Sequence, residues 1–280
     1  MRLATYDNGG VRTGIVTGDT IVDTGFEGTM IDLIARWDEL RPQLEARAVS
    51  GTGSGTPVAS VKLLAPVLKP AKIWAIGLNY ADHIAESKVA APEKQVWFTK
   101  AQTSVNGPFD PILIAKGTAT NDYEVELVAV IGKRGKHIPV ERAHEHVFGY
   151  CVGNDVTERM WQHATQQWSL GKSFDTHAPI GPWITTADEV GDPHTLDIKC
   201  FINGDRRQNS NTKHLVFNIW QQIAHLSTGI TLEPGDLIFT GTPGGIGGAM
   251  DPRQFLKPGD VVRSEIEKLG AIEGVMVAED

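Results

Sequence analysis

Glu124 and Glu126 stand two residues apart at the head of the segment Asn121-Asp122-Tyr123-Glu124-Val125-Glu126-Leu127-Val128-Ala129-Val130-Ile131-Gly132. Residues two apart in a β-strand point the same way, so both carboxylates share a face with Val128 and Val130. Val125, Leu127, Ala129 and Ile131 form the other face, and a strand apolar on both sides is built for burial. Two glutamates at its mouth repel each other and lose hydration, which is costly without a cation. A strand that begins at the surface would instead leave both wet. Asp155 is the candidate third acid. If a helix starts there, Asp155, Arg159 and Gln162 fall at i, i+4 and i+7 on one face. Asp155 with Glu158 also fits a capping box, so helix capping is its competing role. Three carboxylates would make a hard, oxygen-only site suited to Mg²⁺, Mn²⁺ or Ca²⁺.

His83 and Glu86, three apart in Asn79-Tyr80-Ala81-Asp82-His83-Ile84-Ala85-Glu86, would share a helix face. A carboxylate beside an imidazole fixes its tautomer and raises its basicity, as deprotonating a water requires. An incidental surface pair is the plain alternative. The polar stretch Ser87-Lys88-Val89-Ala90-Ala91-Pro92-Glu93-Lys94 reads as a lid. Lys172, among small and apolar residues, is suited to stabilising an oxyanion, or is simply a surface lysine. Gly241-Thr242-Pro243-Gly244-Gly245 follows a strand. Its backbone amides could cradle a carboxylate, or merely form a tight turn. His144 and His146 read as the exposed part of a short helix.

These groups need a scaffold, and composition bounds it. The chain has 280 residues, 41% hydrophobic and 21% charged, which is ordinary for a globular protein. Its net charge of −8 carries no basic run, which argues against nucleic acid. No apolar run spans a bilayer and no signal segment is evident, so a cytoplasmic location is expected. Cys151 and Cys200 lack metal-type spacing and read as buried apolar residues. Residues 1–60 read as a small β-rich unit with a strand at Arg12–Val16 and a helix at Met30–Trp37. It ends in the linker Ser50-Gly51-Thr52-Gly53-Ser54-Gly55-Thr56-Pro57. Residues 61–280 mix strands, turns and few helices, predicting an α+β, mainly β fold rather than a doubly wound sheet. Nucleotide motifs fail: Gln166 stands where a P-loop needs glycine, and Met250 where a dinucleotide fingerprint needs one. No G-x-S-x-G elbow exists.

Taken in order, several segments from about Leu64 to Val277 resemble the fumarylacetoacetate hydrolase family. They are Gly77-Leu78-Asn79-Tyr80-Ala81-Asp82-His83, Asp122-Tyr123-Glu124-Val125-Glu126-Leu127, Asn154-Asp155-Val156-Thr157, Gly171-Lys172-Ser173-Phe174-Asp175, Gly181-Pro182-Trp183, Asn203-Gly204 with Arg207-Gln208, Thr240-Gly241-Thr242-Pro243 and Leu256-Lys257-Pro258-Gly259-Asp260. The resemblance implies a mixed β-sandwich roll, a homodimer and a divalent metal, usually Mg²⁺, held by Glu124, Glu126 and Asp155. It implies a water-activating His83–Glu86 pair on a lid and Lys172 at an oxyanion. Arg159 and Gln162 would contact substrate, and Gly241 and Thr242 its carboxylate end. The chain departs from the family pattern beside Arg159, where Glu158 and Met160 replace a small residue and an aspartate. The implied activity is hydrolysis of a carbon–carbon bond in a 2,4-diketo acid of acylpyruvate type. Decarboxylation of an oxaloacetate-type acid, isomerisation of an oxo acid at the same site, and a non-catalytic ligand-binding relative are the alternatives.

Overall fold

The apolar runs build two packed sheets. The computed structural model describes residues 1–51, 55–87, 90 and 92–279. Among them a 12-stranded mixed sheet runs through Thr56–Pro57, Thr20–Asp23, Val11–Thr17, Arg2–Asp7, Ala178–Thr186, Val147–Asn154, Val125–Ile131, Leu237–Phe239, Ile73–Gly77 and Val96–Thr99, with two short strands paired off this path. A 5-stranded sheet follows the order Asp205–Asn211, Asp197–Ile202, Val261–Ile266, Gly270–Ala278, Ile112–Ile114. The fold is α+β and mainly β, as the sequence predicts.

Val125–Ile131 is the hinge of the packing. Val125, Leu127, Ala129 and Ile131 enter a core shared with Ile198, Cys200, Val262 and Ile266 of the smaller sheet. Val128 and Val130 enter a second core with Leu33, Ile34, Leu40 and Leu44 from the helices Met30–Ala35 and Trp37–Ser50. Full burial of each large aliphatic side chain stabilises by about 1.5–3 kcal/mol, so both faces are anchored. The N-terminal strands extend the same sheet: Arg2 and Leu3 pair with Thr185 and Ile184. The helix expected at Met30–Trp37 is two helices, the first closed by a Thr29–Asp32 capping box. The linker residues Thr52, Gly53 and Ser54 lie outside the described residues.

The strand predicted over 121–132 is broken. Asn121–Asp122 pair with Thr157–Glu158 in a separate two-stranded ribbon, and the long strand starts at Val125, paired with Asn154. Between these pairings side-chain acceptors replace part of the ladder. Glu124 N donates to Asn154 Oδ1 (2.9 Å), Val125 N to Gln208 Oε1 (3.0 Å), and Asp155 N to Glu124 O (2.8 Å). The interruption brings Glu124 and Asp155 side by side where two strands part.

His177, fully buried, ties Leu113 to the segment leading into Ala178–Thr186. Its Nε2 lies 2.8 Å from the Leu113 carbonyl oxygen, so Nε2 carries the proton. Burial depresses its pKa from 6.5 to about 4. Between those values the unfolded chain takes up a proton that the folded chain refuses. His177 therefore contributes stability above pH 6.5 that is lost as pH falls towards 4, about 3 kcal/mol at one proton per molecule. Urea melts across that window should show a shallower pH slope for His177→Gln than for wild type. Equal slopes would refute the assignment.

Candidate metal centre and active site

Glu124, Glu126 and Asp155 each place a carboxylate oxygen within 4.8 Å of the others, and all three are buried. Glu126 lies in the long strand, on the Val128 face. Glu124 and Asp155 come from the gap between the two strand pairings. Their electrostatics differ. Burial pushes the Glu126 carboxyl well above its usual range, and the charges of Asp155 and Glu124 push it further. Burial also raises Glu124, but Lys172, Arg159 and His83 override it and hold that carboxyl at about 2. Among the described residues Glu126 has no ion-pair partner; its Oε2 accepts only the Gly241 amide, at 2.7 Å. Three convergent hard oxygens, one of them uncompensated, fit a divalent cation such as Mg²⁺ or Mn²⁺.

Three buried cations brace this cluster. Lys172 Nζ sits 2.7 Å from Glu124 Oε2 and 2.7 Å from Asp155 Oδ2. Lys100, which the sequence reading passed over, places Nζ 2.5 Å from Asp155 Oδ1 and also donates to the Lys172 carbonyl. Burial lowers the pKa of Lys100; Lys172 is also buried, yet Asp155 and Glu124 raise it. Arg159 holds Asp122 Oδ2 through Nε (2.9 Å) and a terminal nitrogen (2.8 Å), which is also 2.7 Å from Glu124 Oε1. Its other terminal nitrogen donates to Gln162 Oε1 at 3.0 Å.

The helix expected from Asp155 begins instead at Arg159 and ends at His163. Asp155 caps nothing, because both its oxygens go to lysines. Glu158 is held by the amide of Thr120 (3.1 Å) and its hydroxyl, and Arg159 N donates to Thr120 O (3.0 Å). These contacts keep Thr157–Glu158 extended. Arg159 and Gln162 still share a helix face.

His83 and Glu86 lie on the helix Ala81–Ser87 with Nδ1 2.8 Å from Glu86 Oε1. The carboxylate accepts, so Nδ1 carries the proton and Nε2 is the basic nitrogen. Lys88, Val89 and Ala91 of the expected lid lie outside the described residues. The glycine-rich loop does cradle carboxylates, and they are the protein's own. Gly241 N donates to Glu126, Gly244 N to Asp82 (3.3 Å), Gly245 N to Glu86 (2.7 Å), and Gly247 N and Gly248 N to Asp122 (2.8 Å each). Gly245 has no substitute: its φ is +104° and a Cβ would meet the Arg207 carbonyl oxygen at 2.1 Å. Thr242 is likewise committed, donating to Val125 O (2.9 Å) and accepting from Gln208 Nε2 (2.8 Å).

A cavity of about 380 Å³ joins these parts. His83, Glu86, Glu124, Arg159, Gln162, Lys172 and Thr242 line it, as do Trp168, His163, Phe255 and Arg253. Its size is at the low end for ligand sites and suits a small organic acid. The arrangement can move a proton at one wall while charge on the ligand is held at another. Lys100 and Asp122 were passed over because their partners are remote. A lysine ending the apolar run Val96-Trp97-Phe98-Thr99 is the only local signal.

Residues 72–277 match the family described as fumarylacetoacetate (FAA) hydrolase C-terminal. A mitochondrial oxaloacetate tautomerase of Rattus norvegicus is 42% identical over 264 residues, covering 94% of this chain and 84% of that protein. The maleylpyruvate hydrolase of Sphingobium sp. SYK-6, solved with manganese(II) and pyruvate, superposes with a TM-score of 0.85 at 36% identity over all of both chains. A 5-carboxymethyl-2-hydroxymuconate delta-isomerase of Mycobacterium smegmatis does so with a TM-score of 0.80 at 32% identity, again over all of both chains. The expectation of a cytoplasmic location is overturned here, since the tautomerase relative is a mitochondrial protein.

Proposed function

The chain belongs to the fumarylacetoacetate hydrolase family, and on that premise we propose that it interconverts the keto and enol forms of a short 2-oxo acid of oxaloacetate type. Glu124, Glu126 and Asp155 would hold the divalent cation. The observation that carries the reading is that a His–Glu dyad and Glu124, the outermost member of a buried cation-ready carboxylate cluster, line one small cavity. The 42% identity to an oxaloacetate tautomerase supports this choice among the family's reactions.

His83 Nε2 takes the proton from the carbon next to the ketone as the C–H bond breaks. Glu86 holds the resulting imidazolium in place through Nδ1. The Lys172 ammonium lies close to where negative charge grows on the oxo oxygen. A bound divalent cation supplies Lewis acidity to the 2-oxo acid end. Delivery of the proton to oxygen completes the enol, and no other reactant is consumed. Trp168 and Phe255 give the cavity apolar wall beside the dyad.

Hydrolysis of a carbon–carbon bond in an acylpyruvate, the leading expectation from the sequence, becomes the second reading. The resemblance to maleylpyruvate hydrolase favours it. The same dyad would then deprotonate a water. The first test follows loss of the oxaloacetate enol absorbance. Chelator treatment should abolish the catalysed rate, and Mg²⁺ or Mn²⁺ should restore it. Full activity in chelated protein would sink the cation-dependent reading. Pyruvate release from a panel of 2,4-diketo acids, without faster enol exchange, would install the second.

A further inference from the structure

The cations lining the cavity are nearly all committed. His83 is paired with Glu86, Lys172 with Glu124 and Asp155, and Arg159 with Asp122 and Glu124. Arg253 is the exception: among the described residues its guanidinium has no ion pair or side-chain hydrogen bond, although it lines the same cavity. Its backbone is nonetheless anchored. Gln254 N donates to Gly247 O (3.0 Å), Arg207 donates to Gln254 Oε1 (2.6 Å), and Leu256 N donates to Asn121 O (2.8 Å). Arg253 thus projects from a segment stitched to the loop that holds Asp122 and to the ribbon beside the metal cluster. His163 stands near it. Burial lowers the His163 pKa, and Arg159, Arg253 and Lys172 lower it further against the opposing charge of Glu124.

Building on the proposed function, we infer that Arg253, with His163 on the same cavity wall, forms the subsite for the distal carboxylate of a dicarboxylic 2-oxo acid. The oxo-acid end is served by the inner groups. An anion at the mouth meets the one guanidinium whose five donors are unspent, in a fork that matches a carboxylate. A purely apolar tail would cover that guanidinium without pairing it, which is unfavourable. Arg253 therefore selects dicarboxylic over monocarboxylic 2-oxo acids, and its place in the reaction is specificity rather than proton transfer.

The test compares wild type, Arg253→Gln and Arg253→Lys as Mn²⁺-loaded protein, using oxaloacetate as substrate and pyruvate as competitive inhibitor. Arg253 is exposed and unpaired, so both variants should fold. The inference expects Arg253→Gln to raise KM for oxaloacetate about tenfold, a charged hydrogen bond discounted for exposure, with kcat little changed. The pyruvate inhibition constant should stay as in wild type, and Arg253→Lys should recover part of the loss. An unchanged KM overturns the inference, and so does an equal rise in the pyruvate constant, which would place Arg253 at the oxo-acid end. If wild type does not turn over oxaloacetate, the functional reading fails by itself. Calorimetric titration of oxaloacetate and pyruvate into the same proteins then decides the subsite.

Discussion

Asp155→Asn is expected to give a folded protein that no longer holds a divalent cation and turns over roughly 10³-fold more slowly, the loss of several kcal/mol of charge stabilisation. Asp155 ties two of the three bracing cations to the carboxylate cluster. One oxygen faces Lys100 and the other faces Lys172, and a carboxylate oxygen lies within 4.8 Å of Glu124 and Glu126. Asparagine keeps the shape, removes the charge and turns an NH₂ donor towards an ammonium. Leaving a buried ion without its partner costs about 3–5 kcal/mol when the ion stays charged. Lys100, whose pKa burial already lowers, escapes part of that cost by shedding its proton. Calorimetric titration with Mn²⁺ separates the effects. A cation at one hundred times its Kd should stabilise wild type by about 2.7 kcal/mol and the variant hardly at all. Pairing Lys100→Met with Asp155→Asn should recover stability without recovering the cation. Wild-type cation affinity in the single variant would remove Asp155 from the ligand set.

What the sequence made legible divides by range. Alternation over Val125–Ile131 was enough to foresee burial on both faces, and the two faces enter two cores. The break at Tyr123–Glu124 was not legible, because it depends on Asn154 and Gln208, 30 and 83 residues away, supplying the acceptors that a strand neighbour would have supplied. The pattern Asp155-x-x-Glu158 read as a helix start because capping is a local rule. Thr120, 38 residues upstream of Glu158, outbids it. Lys100 and Asp122 escaped for the same reason: a lone charge shows its meaning only when its partner is beside it. The glycine run was legible as a cradle, but not whose carboxylates it held.

His83→Ala is the second large effect, and it discriminates among the family's reactions. Loss of a positioned general base costs about 10²- to 10⁴-fold, and cation affinity should not change because His83 is outside the three-carboxylate cluster. Enolisation breaks a C–H bond and so needs a base at carbon. Hydrolysis needs a base at water, and both should fall together. Decarboxylation of oxaloacetate breaks a C–C bond as CO₂ leaves and needs no proton removed first, so it should fall much less. Measuring all three rates on one preparation of His83→Ala therefore separates the reactions that need the dyad as a base from decarboxylation, which does not. Glu86→Gln adds a control, since it leaves the imidazole but removes the carboxylate charge beside Nδ1 and leaves one oxygen to serve both Nδ1 and the Gly245 amide. Its loss should be smaller and should track that of His83→Ala across reactions. If enol exchange survives His83→Ala at the wild-type rate while cation binding is intact, the dyad is not the base. Lys172, the one amine of the cluster that also lines the cavity, then becomes the group to test.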